Sequence, residues 1–254
     1  MKRIKFLAGA LLATSLVTGP VMAKEWKEVR IAVDVPYEPF EFKKPDGTLT
    51  GFEVDLGNAV CEDQKWKCEW VIQAWDGMIP GLMTRKFDAI MSSMSITEER
   101  AKQVAFSEPY YNTPSAWFGK NSNSKIDVTS KDALKGKTIG AQRGTIQDDY
   151  ITKEFGDVAE IKRYSTADDL VLDLKGGRLD LVFLDYPVGD ETVTTDKNYA
   201  QIGEQVKLGD GIGVALRKRD KDLAEAFNKS LAKLKENGTY DEIMKKYFNY
   251  DIKM

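Results

Sequence analysis

The chain has 254 residues, 42% apolar and 30% charged, the balance of an ordinary globular protein. A net charge of −3, without a clustered excess of Lys and Arg, argues against a nucleic-acid partner. The chain contains no His, which excludes Ser-His-Asp and Cys-His catalysis and any His-ligated metal, so no cofactor or metal is expected.

The first 23 residues read as a secretory signal peptide. Lys2, Arg3 and Lys5 form a basic start, an uncharged apolar stretch follows to about Val17, and Val21-Met22-Ala23 ends it in small residues. The stretch is short of the ~20 apolar residues that a membrane span needs, and Pro20 interrupts it. Its removal leaves 231 residues and moves the net charge to about −6. The remainder is expected to be soluble, exported and monomeric.

Val29, Ile31 and Val33 alternate with polar residues, the period of a strand, and Pro36-Tyr37-Glu38-Pro39-Phe40 breaks it. Glu53 to Glu62 places Leu56, Ala59 and Val60 on one helical face, and Lys67 to Gln73 reads as the next strand. Cys61 and Cys68, with six residues between them, read as a disulfide in an exported protein; the metal or redox alternative lacks both C-x-x-C spacing and a second ligand pair. Closing so small a loop contributes roughly 2–3 kcal/mol in the chain-entropy view. Met78, Ile79, Leu82 and Met83 predict a second helix. Phe87-Asp88-Ala89-Ile90-Met91 predicts a strand buried on both faces.

The same grammar returns in the middle of the chain. Strands are predicted at Thr138–Ala141, Glu160–Tyr164 and Leu181–Leu184, and helices at Ile146–Phe155 and from Thr166 to Lys175, with Gly176-Gly177 as the stop. Lys86-Phe87-Asp88-Ala89-Ile90-Met91 and Arg178-Leu179-Asp180-Leu181-Val182-Phe183 share one pattern, an echo expected of two similar lobes or of chance. A strand at Ile212–Leu216 and helices at Lys221–Glu236 and Tyr240–Tyr247 close the chain. Strands alternating with helices imply mostly parallel sheets, whose ligands bind beyond the carboxyl ends of the strands.

The polar residues at those ends are the candidate site. Ser92, Ser93 and Ser95 follow one buried strand, and Ser95 and Glu98 have capping-box spacing for a helix. Arg100 is placed to grip a carboxylate through a two-pronged contact, or else is a solvated residue on a plain capped helix. Asp185 ends the second buried strand and suits a ligand ammonium; the alternative is a cap for the segment at Tyr186-Pro187. Thr145 either donates to a ligand or caps its helix. Tyr37 and Trp75 either flank a ligand side chain or belong to the core, and Asp34 suits a distal positive charge.

Several motifs then carry a resemblance: Tyr37-Glu38-Pro39-Phe40, Gly51-Phe52-Glu53-Val54-Asp55-Leu56, Asp76-Gly77-Met78-Ile79-Pro80-Gly81-Leu82, Asp88-Ala89-Ile90-Met91-Ser92-Ser93-Met94-Ser95-Ile96-Thr97, Asp210-Gly211-Ile212-Gly213 and Asn237-Gly238-Thr239-Tyr240. With these the chain resembles, from residue 24 onward, the family 3 extracellular solute-binding proteins of polar amino-acid ABC transporters. Within that family it looks like the lysine/arginine/ornithine-, histidine- and arginine/ornithine-binding members.

The resemblance implies an α/β, two-lobed periplasmic-binding-protein (type II) fold with two mostly parallel sheets flanked by helices and a hinge of two crossing strands. Lobe I would be 24–112 plus 207–254, and lobe II 113–206. It also implies a periplasmic location, an inner-membrane ABC permease as partner, and a disulfide at Cys61 and Cys68. Arg100 would hold an α-carboxylate and Asp185 an α-amino group. Ser93, Ser95 and Thr145 would add hydrogen bonds, Tyr37 and Trp75 would flank the side chain, and Asp34 would meet its charged end. Ile146, Trp75 and Gln142 depart from the basic-amino-acid binders: several relatives carry a hydroxyl residue at the first position, Phe or Leu at the second and Leu at the third. The expected ligand is arginine, ornithine or lysine, with an opine or histidine as the alternative. A dehydratase on the same scaffold would need a general acid, and no carboxylate beyond Asp34 and Asp185 stands out.

Overall fold

The computed structural model describes residues 25–254; the signal-peptide reading lies outside them. In chain order the elements are β1 (Glu28–Val33), β2 (Phe42–Lys43), β3 (Leu49–Thr50), α1 (Phe52–Gln64), β4 (Lys67–Ile72), α2 (Met78–Met83), β5 (Ala89–Ile90), α3 (Glu98–Gln103) and β6 (Ala105–Phe106). There follow β7 (Ser115–Lys120), α4 (Lys131–Leu134), β8 (Thr138–Gln142), α5 (Ile146–Phe155), β9 (Glu160–Tyr164), α6 (Ala167–Lys175), β10 (Leu181–Asp185), α7 (Tyr186–Thr192) and β11 (Tyr199–Val206). The chain returns through β12 (Ala215–Leu216) to α8 (Lys221–Glu236) and α9 (Thr239–Tyr247). Among the described residues no helix is long and apolar enough to cross a membrane.

Two five-stranded sheets organise these elements, in the orders β4-β1-β5-β12-β6 and β11-β7-β10-β8-β9. In each sheet four of the five strands point the same way, and one runs against its neighbours: β12 in the first sheet and β7 in the second. The cause lies in the crossings. β7 enters the second sheet and β12 re-enters the first directly from the connecting segments, without a crossover helix to restore direction.

Those segments are extended rather than continuous strands. They meet through an antiparallel bridge between Tyr111 and Ile212: Ile212 N–H donates to the Tyr111 carbonyl at 2.8 Å, and Tyr110 N–H donates to the Ile212 carbonyl at 3.0 Å.

Helices cover both faces of each sheet. In β10, Leu181 and Phe183 pack with Ile151 and Phe155 of α5, while Val182 and Leu184 face Leu170 and Leu174 of α6. A strand buried on both sides has no polar face to show, which is why it reads as a continuous apolar run. In α8, Leu223, Phe227, Leu231 and Leu234 recur at helical spacing and are buried. Cys61 and Cys68 are bonded, with Cα atoms 6.1 Å apart, tying the end of α1 to β4.

The repeated pattern has a structural basis. Asp88 N–H donates to the Arg30 carbonyl, and the Asp88 carboxylate accepts from Arg30 N–H at 3.2 Å. Asp180 repeats both bonds with Thr138, the second at 2.9 Å. In each sheet an Asp before a buried strand thus pins the start of the neighbouring parallel strand.

Candidate functional site

The carboxyl ends of β1, β5, β8 and β10 converge on one small cavity. All ten residues singled out from the sequence line it: Asp34, Tyr37, Trp75, Ser92, Ser93, Ser95, Arg100, Gln142, Thr145 and Asp185. Glu41, Ile146 and Gln147 line it as well.

Asp185 sits at the end of β10 and makes no capping bond to α7, so its carboxylate is left for the cavity. Oδ1 accepts from Gln147 at 2.9 Å and Thr113 at 3.1 Å, and Oδ2 accepts from the Tyr37 hydroxyl at 2.7 Å. Burial nevertheless wins over these three donors and pushes its pKa up to about 6.

Arg100 begins on a different footing from the one the sequence suggested. The N-cap of α3 is Thr97, whose hydroxyl accepts from Arg100 N–H at 3.2 Å; Ser95 is not the cap. The reason is the crossing segment. Ile96 N–H donates to the Gly211 carbonyl and Ser95 bridges Ile212, so the chain stays extended for two further residues. The Arg100 guanidinium donates to the Ser95 carbonyl at 2.9 Å and reaches the Gly144 carbonyl at 3.4 Å. It stands 5.2 Å from the Trp75 ring centroid, a cation–π distance. Burial pulls its pKa down to about 10, which leaves it charged at neutral pH.

Trp75 also donates its indole N–H to the Gly144 carbonyl at 2.9 Å. Gly144 has φ +73°, the left-handed conformation that glycine adopts without strain, and this turn aims its carbonyl across the cleft. Thr145 follows as the cap of α5. Its hydroxyl accepts from Asp148 N–H and donates to the Gln142 carbonyl at 2.8 Å, so its bonds are those of a helix cap.

Asp34 directly follows β1 and accepts from the Gln142 amide at 2.6 Å; Gln142 is anchored in turn on the Ser165 carbonyl. Burial raises Asp34 to about 6 despite this donor. The Ser92 hydroxyl accepts from Asp34 N–H at 2.9 Å and donates to Glu41 at 2.7 Å, which leaves it no hydrogen for a ligand. Ser93 has φ +51°, and its N–H donates to Glu53 at 2.9 Å; Tyr111 lies 2.8 Å from both Ser93 Oγ and Glu53.

Glu41 corrects the expectation that no carboxylate beyond Asp34 and Asp185 belongs to the site. It is 1% exposed and joins those two on the cavity wall. Burial, and then the nearby Glu53, push its carboxyl well above the usual range.

The family model for bacterial extracellular solute-binding proteins, family 3, matches residues 29–250. The chain belongs to this family. Among its relatives is the L-arginine-binding protein of Pseudomonas aeruginosa, 43% identical over 99% of this chain and 98% of that one. The lysine/arginine/ornithine-binding periplasmic protein of Escherichia coli K12 is 38% identical over 96% of this chain and 98% of its own. Among solved structures, an ancestral arginine-binding protein bound to arginine superposes with a TM-score of 0.83. It is 33% identical over 89% of this chain and all of that one. This solute-binding protein therefore has the two-lobed type II fold, and its likeness to these relatives extends along nearly its whole length.

Proposed function

We propose that the protein captures a basic amino acid in the periplasm and hands it to an inner-membrane ABC permease without altering it. The reading rests on the opposition of Arg100, from the first sheet's α3, and Asp185, from the second sheet's β10, across one cavity. A fixed cation and a buried anion on opposite walls complement the carboxylate and ammonium of an α-amino acid. Asp34, beyond them, supplies the anion for a distal positive charge. Tyr37 and Trp75 exclude water from between, and Ile146 adds an apolar wall.

The lobes are taken as 24–112 plus 207–254 and as 113–206; the bridged segments around Tyr111 and Ile212 support a hinge there. Closure about it brings Asp185 to a ligand first held by Arg100. The signal-peptide pattern of the first 23 residues and the names of the periplasmic relatives support the location.

A thermal-shift screen of amino acids and opines tests this. A ligand at 100 times its dissociation constant stabilises the fold by about 2.7 kcal/mol, an easily read shift. Arginine, ornithine or lysine should give it. No response to any amino acid, or formation of aromatic product from prephenate or arogenate, would overturn the reading.

A further inference from the structure

The segment after α9 runs back over the hinge. Phe248 is buried and packs on Phe40 and on Phe52 of α1, with ring centroids 5.3 and 5.4 Å apart. Further on, the Ile252 carbonyl accepts from Asn112 N–H at 3.0 Å, and Lys253 forms an antiparallel bridge with Tyr111. Lys253 Nζ returns to Asp241 of α9 at 2.6 Å. Tyr111 also bridges Ile212, so the segment lies as a third chain beside the two that cross between the sheets.

Tyr250 sits between these anchors. Its ring stands 6.1 Å from that of Tyr186 and 5.9 Å from that of Phe248. Tyr186 opens α7 directly after Asp185, and its N–H donates to the Pro114 carbonyl at 2.8 Å, just where the chain leaves the hinge for β7. Tyr250 shares a groove with Pro39, from the loop after β1, and with Pro187 of α7. It therefore stands on the seam between the halves, and it does not line the ligand cavity. A ring fixed to the first half meets the residue next to the second half's ligand carboxylate.

Resting on the function proposed above, we infer that Tyr250 is a positioning residue: it holds Tyr186, and through it Asp185, in the closed arrangement, so that the segment after α9 sets ligand affinity without touching the ligand. Parting the halves about the hinge draws Tyr186 away from a ring anchored on the other side. The contact thus belongs to the closed form, and apparent affinity scales with the fraction of protein that is competent to bind. An aromatic pair is worth about two- to tenfold on that scale. Because Tyr250 acts on closure rather than on the ligand, its removal costs the same factor for every ligand the cavity takes.

Arginine, lysine and ornithine would be titrated calorimetrically into wild type, Tyr250→Ala, Tyr250→Phe, Tyr186→Ala and the double Ala variant, after removal of carried-over ligand. Tyr250→Ala should weaken each ligand that wild type binds by one common factor of about two to ten. Stopped-flow kinetics should place that loss in faster release. Tyr250→Phe keeps the ring and should bind as wild type does. With Tyr186 already replaced by Ala, Tyr250→Ala should cost nothing further, because the contact is gone.

Wild-type affinity in Tyr250→Ala would overturn the inference while leaving amino-acid capture intact. So would losses that differ from ligand to ligand, a Phe variant as weak as the Ala variant, or an undiminished loss in the Tyr186→Ala background. Tyr250 is 37% exposed, so its replacement leaves the core intact. Should Tyr186→Ala fail to fold, the comparison of Ala with Phe at Tyr250 decides alone. Wild type binding none of the three ligands would overturn the function and the inference together.

Discussion

The Tyr37 hydroxyl donates to Asp185 at 2.7 Å across 148 positions of sequence, from the loop after β1 to the last residue of β10. With Gln142 on Asp34 and the Trp75 and Arg100 contacts to the Gly144 carbonyl, it joins the two sheets through side chains that also line the cavity. The groups that join the two sheets are therefore those that line the cavity, so under the proposed function closure and binding would be one event.

Replacing Tyr37 by Phe removes one donor from a buried carboxylate and little else, since the ring remains. A hydrogen bond to a charged group is worth about 1.5–3 kcal/mol, so affinity for a basic amino acid should fall roughly ten- to a hundredfold. Calorimetric titration checks this. The loss should appear mainly as faster release, because Tyr37 acts on the closed form; stopped-flow dissociation distinguishes this from slowed association.

Arg100→Ala should cost on the order of 2–5 kcal/mol of binding, because the ligand carboxylate would be left desolvated without its partner. Arg100→Lys keeps the charge but loses the fork, and the contact to the Gly144 carbonyl is beyond its geometry. It should fall between Ala and wild type. Equal affinities for all three proteins in calorimetry would remove the carboxylate role of Arg100.

Much of this was legible in the sequence because of where the information lies. β1, β5, β8 and β10 are local patterns, and the residues just beyond them had to sit at a sheet's carboxyl edge, so all ten candidates line one cavity. Other features are tertiary. β7 and β11 gave no reading: Ser115–Lys120 is too short and continuous to separate strand from helix, and Tyr199–Val206 is an edge strand with a largely polar sequence. Glu41 follows a turn and looks like an exposed acid. Its burial comes from the bridge with Tyr37 and the distant Ser92, which no local spacing encodes. The cap moved from Ser95 to Thr97 because Gly211, more than a hundred residues away, holds Ile96 extended.

Asp88 offers a test of stability separate from binding. It bonds to Arg30 at 3.0 Å and to the buried Arg217 at 2.9 Å, and Arg217 also donates to the Phe87 carbonyl. Asp88→Ala removes one of the two carboxylates paired with Arg217, whose side chain is 6% exposed, and leaves Asp220 at 2.6 Å as the other. Because Asp220 still compensates the charge, the cost should fall below the roughly 3–5 kcal/mol typical of a buried charge left without any partner. Denaturant unfolding should show that loss, while arginine affinity under native conditions stays near wild type because Asp88 does not line the cavity. A large change in affinity would mean that the pair also sets the cleft.

Acidification should act in opposite directions on the empty protein and on its complex. Burial raises Asp34 and Asp185 to about 6 in the folded protein from an ordinary value of 3.8. The folded state then holds protons that the unfolded state releases between those values. Stability contributed by these groups therefore rises as pH falls from 7 toward 4, by on the order of 3 kcal/mol per carboxyl. A cationic ligand favours the ionised carboxylates and expels the protons, so its affinity should weaken below pH 6. Melting temperatures with and without arginine, measured from pH 7.5 to 5, should converge: the empty protein gains while the ligand-induced increment shrinks. Curves that stay parallel through this window would show that neither carboxylate titrates on binding, and would take away the electrostatic basis assigned to the cavity.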